Sequence, residues 1–62
     1  MDKWINTIDD YPPLETDVLV YLHSGEINIA SWEGSNLGWI DFDGGSVKMV
    51  THWMPLPEAP SV

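Results

Sequence analysis

The chain has 62 residues, and its ten acidic residues outweigh two lysines, which gives a formal net charge of -8. This length fits one small domain, and the absence of cysteine excludes disulfides, thiolate nucleophiles and thiolate metal ligands. So few basic residues cannot coat a phosphate backbone or an anionic bilayer, so we expect direct binding of neither nucleic acid nor membrane.

The start of the chain has no pattern of a secretory signal. Met1 is followed directly by Asp2, and no basic start with an apolar run follows. The longest uninterrupted apolar run, residues 18–22, is far shorter than a bilayer span. We therefore expect a cytoplasmic protein. Because small scaffolds often supplement a thin core by oligomerising, a homodimer is one expected state.

Residues 1–16 are predicted to form an N-terminal arm and a proline-containing loop. The Trp4-Ile5 pair favours a short strand or an extended arm. Pro12 and Pro13 lack a backbone donor and disfavour helix in the residue before them. Residues 9–13 are therefore predicted to be a loop.

Four short strands are predicted between residues 17 and 54, separated by glycine turns. The first is apolar on both faces, which predicts a central strand covered on both sides. Gly25 can adopt a positive φ at no steric cost, and it predicts a hairpin between the first two strands. The predicted strands cover residues 17–23, 26–33, 39–42 and 47–53.

The predicted fold class is all-β, a small antiparallel meander of about four strands in a single domain. Four strands leave unpaired edges, so we expect the sheet to curl into a half-open barrel or to pair its edges across a dimer. The proline-rich residues 55–62 are predicted to be an extended tail. This tail either lies across the domain's own aromatic residues or docks on a partner.

The most distinctive string of the chain is Thr51–Pro57, which reads T-H-W-M-P-L-P. Other motif residues lie upstream: Trp4-Ile5, Pro12 or Pro13, Val18–Tyr21, Gly25, and Trp39 with Asp41. In these residues the chain resembles a small domain family of unknown function that is common in phages and prophages. The resemblance implies a small β-rich, phage-encoded protein in the host cytoplasm. It implies no activity and no catalytic residue.

The residues contain no pattern that indicates an enzyme, a metal or a cofactor. No serine lies in a nucleophile elbow, and a chain this thin has little room to bury a carboxylate for acid–base chemistry. His23 and His52 lie on separate predicted strands without ligand spacing, so no metal site is predicted. The segment Asp41–Gly45 opens like a calcium loop, but the twelfth position is His52 instead of the required glutamate.

The candidate binding residues are aromatic or acidic side chains on or beside the predicted strands. For the aromatic residues the alternative role is packing, and for the acidic residues it is solubility. The candidates are Tyr21, Trp32, Trp39, Asp41, Asp43, His52 and Trp53.

These features favour a non-enzymatic, phage-type accessory protein that binds and inhibits a host protein. An acidic surface fits a basic partner, such as a defence factor whose basic site holds nucleic acid, and aromatic anchors would hold the complex. One alternative is an aromatic-lined sponge for a small nucleotide-like signalling ligand. Another alternative is a minor structural or assembly protein.

Overall fold

The computed structural model describes residues 3–57, which form six β-strands and no helix. The strands are β1 (Ile5–Asn6), β2 (Asp17–Leu22), β3 (Ile27–Trp32), β4 (Trp39–Asp41), β5 (Ser46–Val47) and β6 (Val50–Pro55). All neighbours pair antiparallel in the order β1-β6-β2-β3-β4-β5. The all-β class and the antiparallel pairing are confirmed, and the predicted meander runs from β2 to β5. β6 instead lies between β1 and β2, and the sheet is open and does not form the expected half-open barrel. Within residues 3–57 no helix is long and apolar enough to cross a membrane.

The single strand predicted over residues 47–53 is two strands, β5 and β6. Met49 lies between them with φ 65°, in the left-handed region, which a β-strand cannot pass through. Its carbonyl accepts a hydrogen bond from the His23 N–H at 2.8 Å, so the interruption is held in place. The predicted alternation of sides ends here, because Met49 is exposed and Val50 packs against the core.

The short connection between β5 and β6 bends the sheet. β5 is one edge, and β6 is four strand positions away, next to the other edge. In a flat sheet four spacings of about 4.8 Å would separate them by about 19 Å. Three residue steps from Val47 to Val50 span at most about 11 Å. The two ends of the open sheet therefore approach each other around one face, which we call the inner face.

The two edge strands of the sheet are short. The four-strand prediction implied long unpaired edges, and these are absent from the described chain. β1 and β5 have two residues each, and each pairs with one neighbour only. Ile5 lies opposite Trp53 and Asn6 opposite His52. Such short edges present few free backbone groups to another chain.

The core lies on the inner face. Val20, at the centre of β2, is 0% exposed. Alternate residues of neighbouring strands point to the same side, so the register brings Val18 opposite Ala30 and Val20 opposite Trp53. The buried apolar cluster is Val18, Val20, Ala30, Trp39 and Trp53, with Ile5, Leu22, Trp32, Val47 and Val50 packed against it.

The loop between β1 and β2 covers the inner face. The indole N–H of Trp53 donates to the carbonyl oxygen of Asp10 at 3.1 Å. The ring of Tyr11 stacks on Trp32 with a centroid separation of 4.2 Å. The loop predicted for residues 9–13 is present, and it forms the second layer over a single sheet.

The prediction that β2 is covered on both sides is wrong, although the strand is central. β2 lies between β6 and β3, and its inner residues are buried. Leu19 and Tyr21 point to the opposite side, which we call the outer face, and Tyr21 is exposed there. The only covering loop in the described chain lies on the inner face, so one layer is missing on the other side.

The C-terminal tail predicted for residues 55–62 falls largely outside the described residues. Pro55 is the last residue of β6, and Leu56 and Pro57 follow without regular structure. The rest of the tail, residues 58–62, is not described.

Candidate functional site

The three tryptophans among the candidate binding residues belong to the inner face. Trp39 and Trp53 are buried in the core. Trp32 is half-buried, with its ring 5.3 Å from that of Trp39 and covered on its other side by Tyr11. The structure therefore places these three rings in packing contacts, with little surface left for a ligand.

Tyr21 and His52 lie together on the outer face, where β2 pairs with β6. Their ring centroids are 6.1 Å apart in an edge-to-face arrangement. The ring of Trp4, which precedes β1, lies 5.7 Å from the ring of Tyr21. The hydroxyl of Thr51 is within 2.8 Å of the His52 Nδ1 and donates to the carbonyl of Tyr21 at 3.2 Å. The outer face thus carries an aromatic cluster that the candidate set contained only in part.

Aliphatic side chains extend this cluster across the outer face. Ile27 lies opposite Tyr21, and Ile29 and Met54 flank Leu19 on its two sides. Ile27 is 54% exposed and Ile29 is 44% exposed. An exposed apolar surface of this kind is a candidate contact site. The outer face comprises Trp4, Leu19, Tyr21, Ile27, Ile29, Ile40, His52 and Met54.

The turn between β4 and β5 brings together the other two candidates, Asp41 and Asp43. One carboxylate oxygen of Asp41 accepts hydrogen bonds from the backbone N–H groups of Asp43, at 2.9 Å, and Gly45, at 2.8 Å. The Asp41 N–H donates to the Gly45 carbonyl at 2.8 Å, and the Gly44 N–H donates to the Asp41 carbonyl at 3.0 Å. Four hydrogen bonds within five residues hold the turn in one conformation.

Phe42 projects from this turn. Its side chain is 86% exposed, between the two aspartates. The sequence predicted Phe42 to end a half-buried strand, but β4 ends at Asp41. The signal that could have identified it is the Asp-Phe-Asp-Gly-Gly string, because an aspartate three residues before a glycine pair favours a side-chain-capped turn.

The acidic side chains surround the inner core and the turns. Glu26, in the turn before β3, lies at the same end of the sheet as Asp43. Glu26 follows β2 and Asp43 follows β4, and these two strands run in the same direction. Asp2 and Glu58 lie outside the described residues. The acidic residues that are exposed in the described chain are Asp9, Asp10, Glu15, Asp17, Glu26 and Asp43.

No group of three or more His, Asp or Glu side chains that could hold a metal ion occurs within residues 3–57. His23, which was predicted to lie on the first strand, lies in the β2–β3 turn, and His52 lies on β6. Two surfaces remain: the acidic turn with Phe42, and the apolar outer face.

Sequence comparison places the chain beside proteins without an assigned activity. A family model described as a protein of unknown function (DUF551) matches residues 3–61. The comparisons with curated proteins and with solved structures gave no match.

Proposed function

We propose that this chain, which belongs to the DUF551 family of proteins of unknown function, is a non-enzymatic protein that binds a basic surface of another protein. Phe42 at the tip of the β4–β5 turn is the anchor. The observation that carries the proposal is a large aromatic side chain, 86% exposed, held between two aspartates on a hydrogen-bonded turn.

The turn has the physical properties of a binding anchor. Aromatic residues dominate interface hot spots, because they bury a large apolar area with few rotatable bonds. The four hydrogen bonds between Asp41 and the following residues fix the backbone beneath Phe42 before any partner arrives. Less conformational freedom is then lost on binding, which strengthens the complex.

Charge selects the kind of partner. The chain carries a formal charge of -8, and Asp43 beside Phe42 and Glu26 on the neighbouring turn are both exposed. A basic protein is therefore attracted over a distance, while an acidic one is repelled. The site that fits is an apolar pocket with lysine or arginine at its rim.

The acids support a binding role better than a catalytic one. A carboxyl group that acts as a general acid needs a buried setting of low dielectric. Six of the described acidic residues are exposed, and Glu33 and Asp41 are half-buried, with their carboxylates hydrogen-bonded to neighbouring groups.

In its finer form, the proposal is that the partner is a host protein and that the chain is phage-encoded and inhibits it. The phage context rests on the resemblance carried by the Thr51–Pro57 string. The inhibitory role rests on charge, because an acidic protein with a fixed aromatic anchor competes with nucleic acid for a basic site. A defence factor that binds nucleic acid is a partner of this kind.

The ligand-sponge alternative has less support in the geometry. Its five aromatic residues divide between two sides of the sheet, with Trp32, Trp39 and Trp53 inside and Tyr21 and His52 outside. They line no common cavity, since the sheet itself separates them.

Affinity capture with matched variants tests the proposal. The immobilised chain is incubated with host lysate at salt concentrations from about 50 mM to about 500 mM, where charge attraction is progressively screened. We expect a specific protein to be retained by the native chain, to be lost with Phe42→Ala, and to be retained less at high salt.

Leu37→Ala is the control for the loss of an exposed apolar side chain. Leu37 is 64% exposed in the loop before β4, with no acidic neighbour within two residues. The captured protein should bind this variant as well as the native chain. Retention of the same proteins by Phe42→Ala, or retention that salt leaves unchanged, would count against the proposal. Displacement of a labelled oligonucleotide from the purified partner tests the finer form.

A further inference from the structure

The outer face has no covering layer in the described chain. The loop between β1 and β2 lies on the inner face, where Asp10 and Tyr11 contact Trp53 and Trp32. On the other side Ile27, the first residue of β3, and Ile29, its third residue, stay about half exposed. Domains are normally built of two packed layers, so an apolar sheet face without a second layer is incomplete.

We propose that the outer face binds the outer face of a second copy of this chain. The two sheets form a symmetric sandwich in which the Ile27 and Ile29 side chains of each copy lie against the other. The inference is independent of the proposed function, because Phe42 and its turn take no part in this contact.

Charge argues for a second copy at this place. Two chains that each carry -8 repel each other wherever carboxylates would meet. The centre of the outer face contains aromatic and aliphatic side chains and His52, with no acid or lysine among them. The acids lie at one end of this face: Asp17, which points to the same side of β2 as Leu19 and Tyr21, and Glu33, whose carboxylate accepts the Ser31 hydroxyl at 2.6 Å. The centre of this face is therefore where two copies can meet with few contacts between like charges.

A basic partner fits the outer face less well than a second copy does. Lysine or arginine side chains pressed on Leu19, Ile29 and Met54 would lose water and find no carboxylate in return. An identical apolar face presents no such group in its centre. The surface thus selects an uncharged counterpart.

The area predicts a weak dimer. The four strands β6, β2, β3 and β4 are separated by three spacings, about 14 Å, and six residues span about 20 Å, which gives about 280 Å² of sheet plane on each copy. Two such faces bury about 560 Å², less than the roughly 1,200–2,000 Å² of a stable complex. We therefore expect a dissociation constant between about 1 µM and about 1 mM.

Salt distinguishes this contact from the proposed binding of a basic protein. The acids at the margin of the outer face repel each other across the dimer, and salt screens this repulsion. Added salt should therefore strengthen the dimer, whereas it weakens attraction to a basic partner.

The experiment is sedimentation equilibrium of the full chain over a range of concentrations, at low and high salt. We expect a monomer–dimer equilibrium whose dissociation constant falls as salt is added. Ile27→Lys places a charge in the contact, and Ile29→Thr keeps a β-branched residue in the strand but makes it polar. Each should raise the dissociation constant at least about tenfold.

Leu37→Lys is the matched control, because it adds the same charge at an exposed apolar site outside the outer face. It should leave the dissociation constant within about twofold of the native value, as should Phe42→Ala. Circular dichroism shows whether each variant is folded. If Ile27→Lys does not fold, Ile29→Thr still decides the test. A chain that stays monomeric to about 1 mM, or a dimer that neither isoleucine variant weakens, would overturn the inference.

Discussion

The phenol ring of Tyr11 lies on the indole of Trp32 with the centroids 4.2 Å apart and the planes 16° from parallel. The same ring lies 6.3 Å from Trp39. This contact ties the loop between β1 and β2 to the far end of the sheet. Residues 3–57 contain no helix, and a loop supplies the second layer over the core.

Tyr11→Ala should lower the free energy of unfolding by about 1–2 kcal/mol. The substitution removes an aromatic pair, which contributes about 0.5–1.5 kcal/mol beyond the free energy of burying the rings. It also removes the burial of about half of the Tyr11 ring. Urea unfolding followed by tryptophan fluorescence measures the change. Tyr11→Phe keeps the stacked ring and serves as the control. A Tyr11→Ala variant as stable as the native chain would show that the loop does not close the core.

Val20→Ala should be the more damaging substitution, with a loss of about 2 kcal/mol. Val20 is 0% exposed at the centre of β2, and its replacement by alanine leaves a cavity that the surrounding side chains fill only in part. A domain of this size loses about 4–8 °C in Tm for each kcal/mol, so Tm should fall by about 8–16 °C. Leu37→Ala, at an exposed site, should change Tm by less than about 4 °C. Equal shifts for the two variants would contradict the assignment of the core.

Asp41→Ala should loosen the β4–β5 turn and cost about 1–2 kcal/mol. The substitution leaves the N–H groups of Asp43 and Gly45 without their acceptor. Asp41→Asn keeps one carbonyl oxygen in place and should cost less than half as much. Amide hydrogen exchange of Gly45 reports the effect locally, and exchange in Asp41→Ala as slow as in the native chain would rule out this role for the carboxylate.

Met49→Gly should stabilise the protein by about 0.5–1 kcal/mol. The left-handed φ of 65° costs a side chain about 1–2 kcal/mol, and glycine avoids this cost while adding some freedom to the unfolded chain. The Met49 side chain is exposed, so little packing is lost. Lys48→Gly, at the neighbouring position without a positive φ, should destabilise. Thermal unfolding compares the two, and a loss of stability in Met49→Gly would mean that its side chain contributes contacts elsewhere.

Local sequence patterns predicted most of the strands. The alternation in residues 17–23 corresponds to β2, and the turn at Gly25, with φ 95°, joins it to β3. These features depend on residues within a few positions of each other. The interruption at Met49 could not be predicted in this way, because the carbonyl that is held there pairs with His23, 26 residues earlier in the chain.

The candidate residues were less predictable than the fold. An aromatic residue on a strand packs in the core if its side of the sheet is covered, and it is available for binding if that side is open. Trp39 and Trp53 lie on the covered side. Tyr21 and His52 fall on the exposed side, beside Trp4. Phe42 continues an alternating pattern in the sequence, yet the carboxylate of Asp41 ends the strand before it.

The sequence by itself determined that this is an acidic, cysteine-free, all-β chain, and which residues share a side in every strand except the one that Met49 interrupts. Period-two alternation carries that information within each strand, since successive side chains point to opposite faces. Only the tertiary structure decided which side is the core. The bend at Lys48–Met49 and the loop that brings Tyr11 onto Trp32 both enclose the inner face. The outer face stays open because the described chain has no further segment to cover it, and this leaves Ile27 and Ile29 exposed in the middle of the sheet.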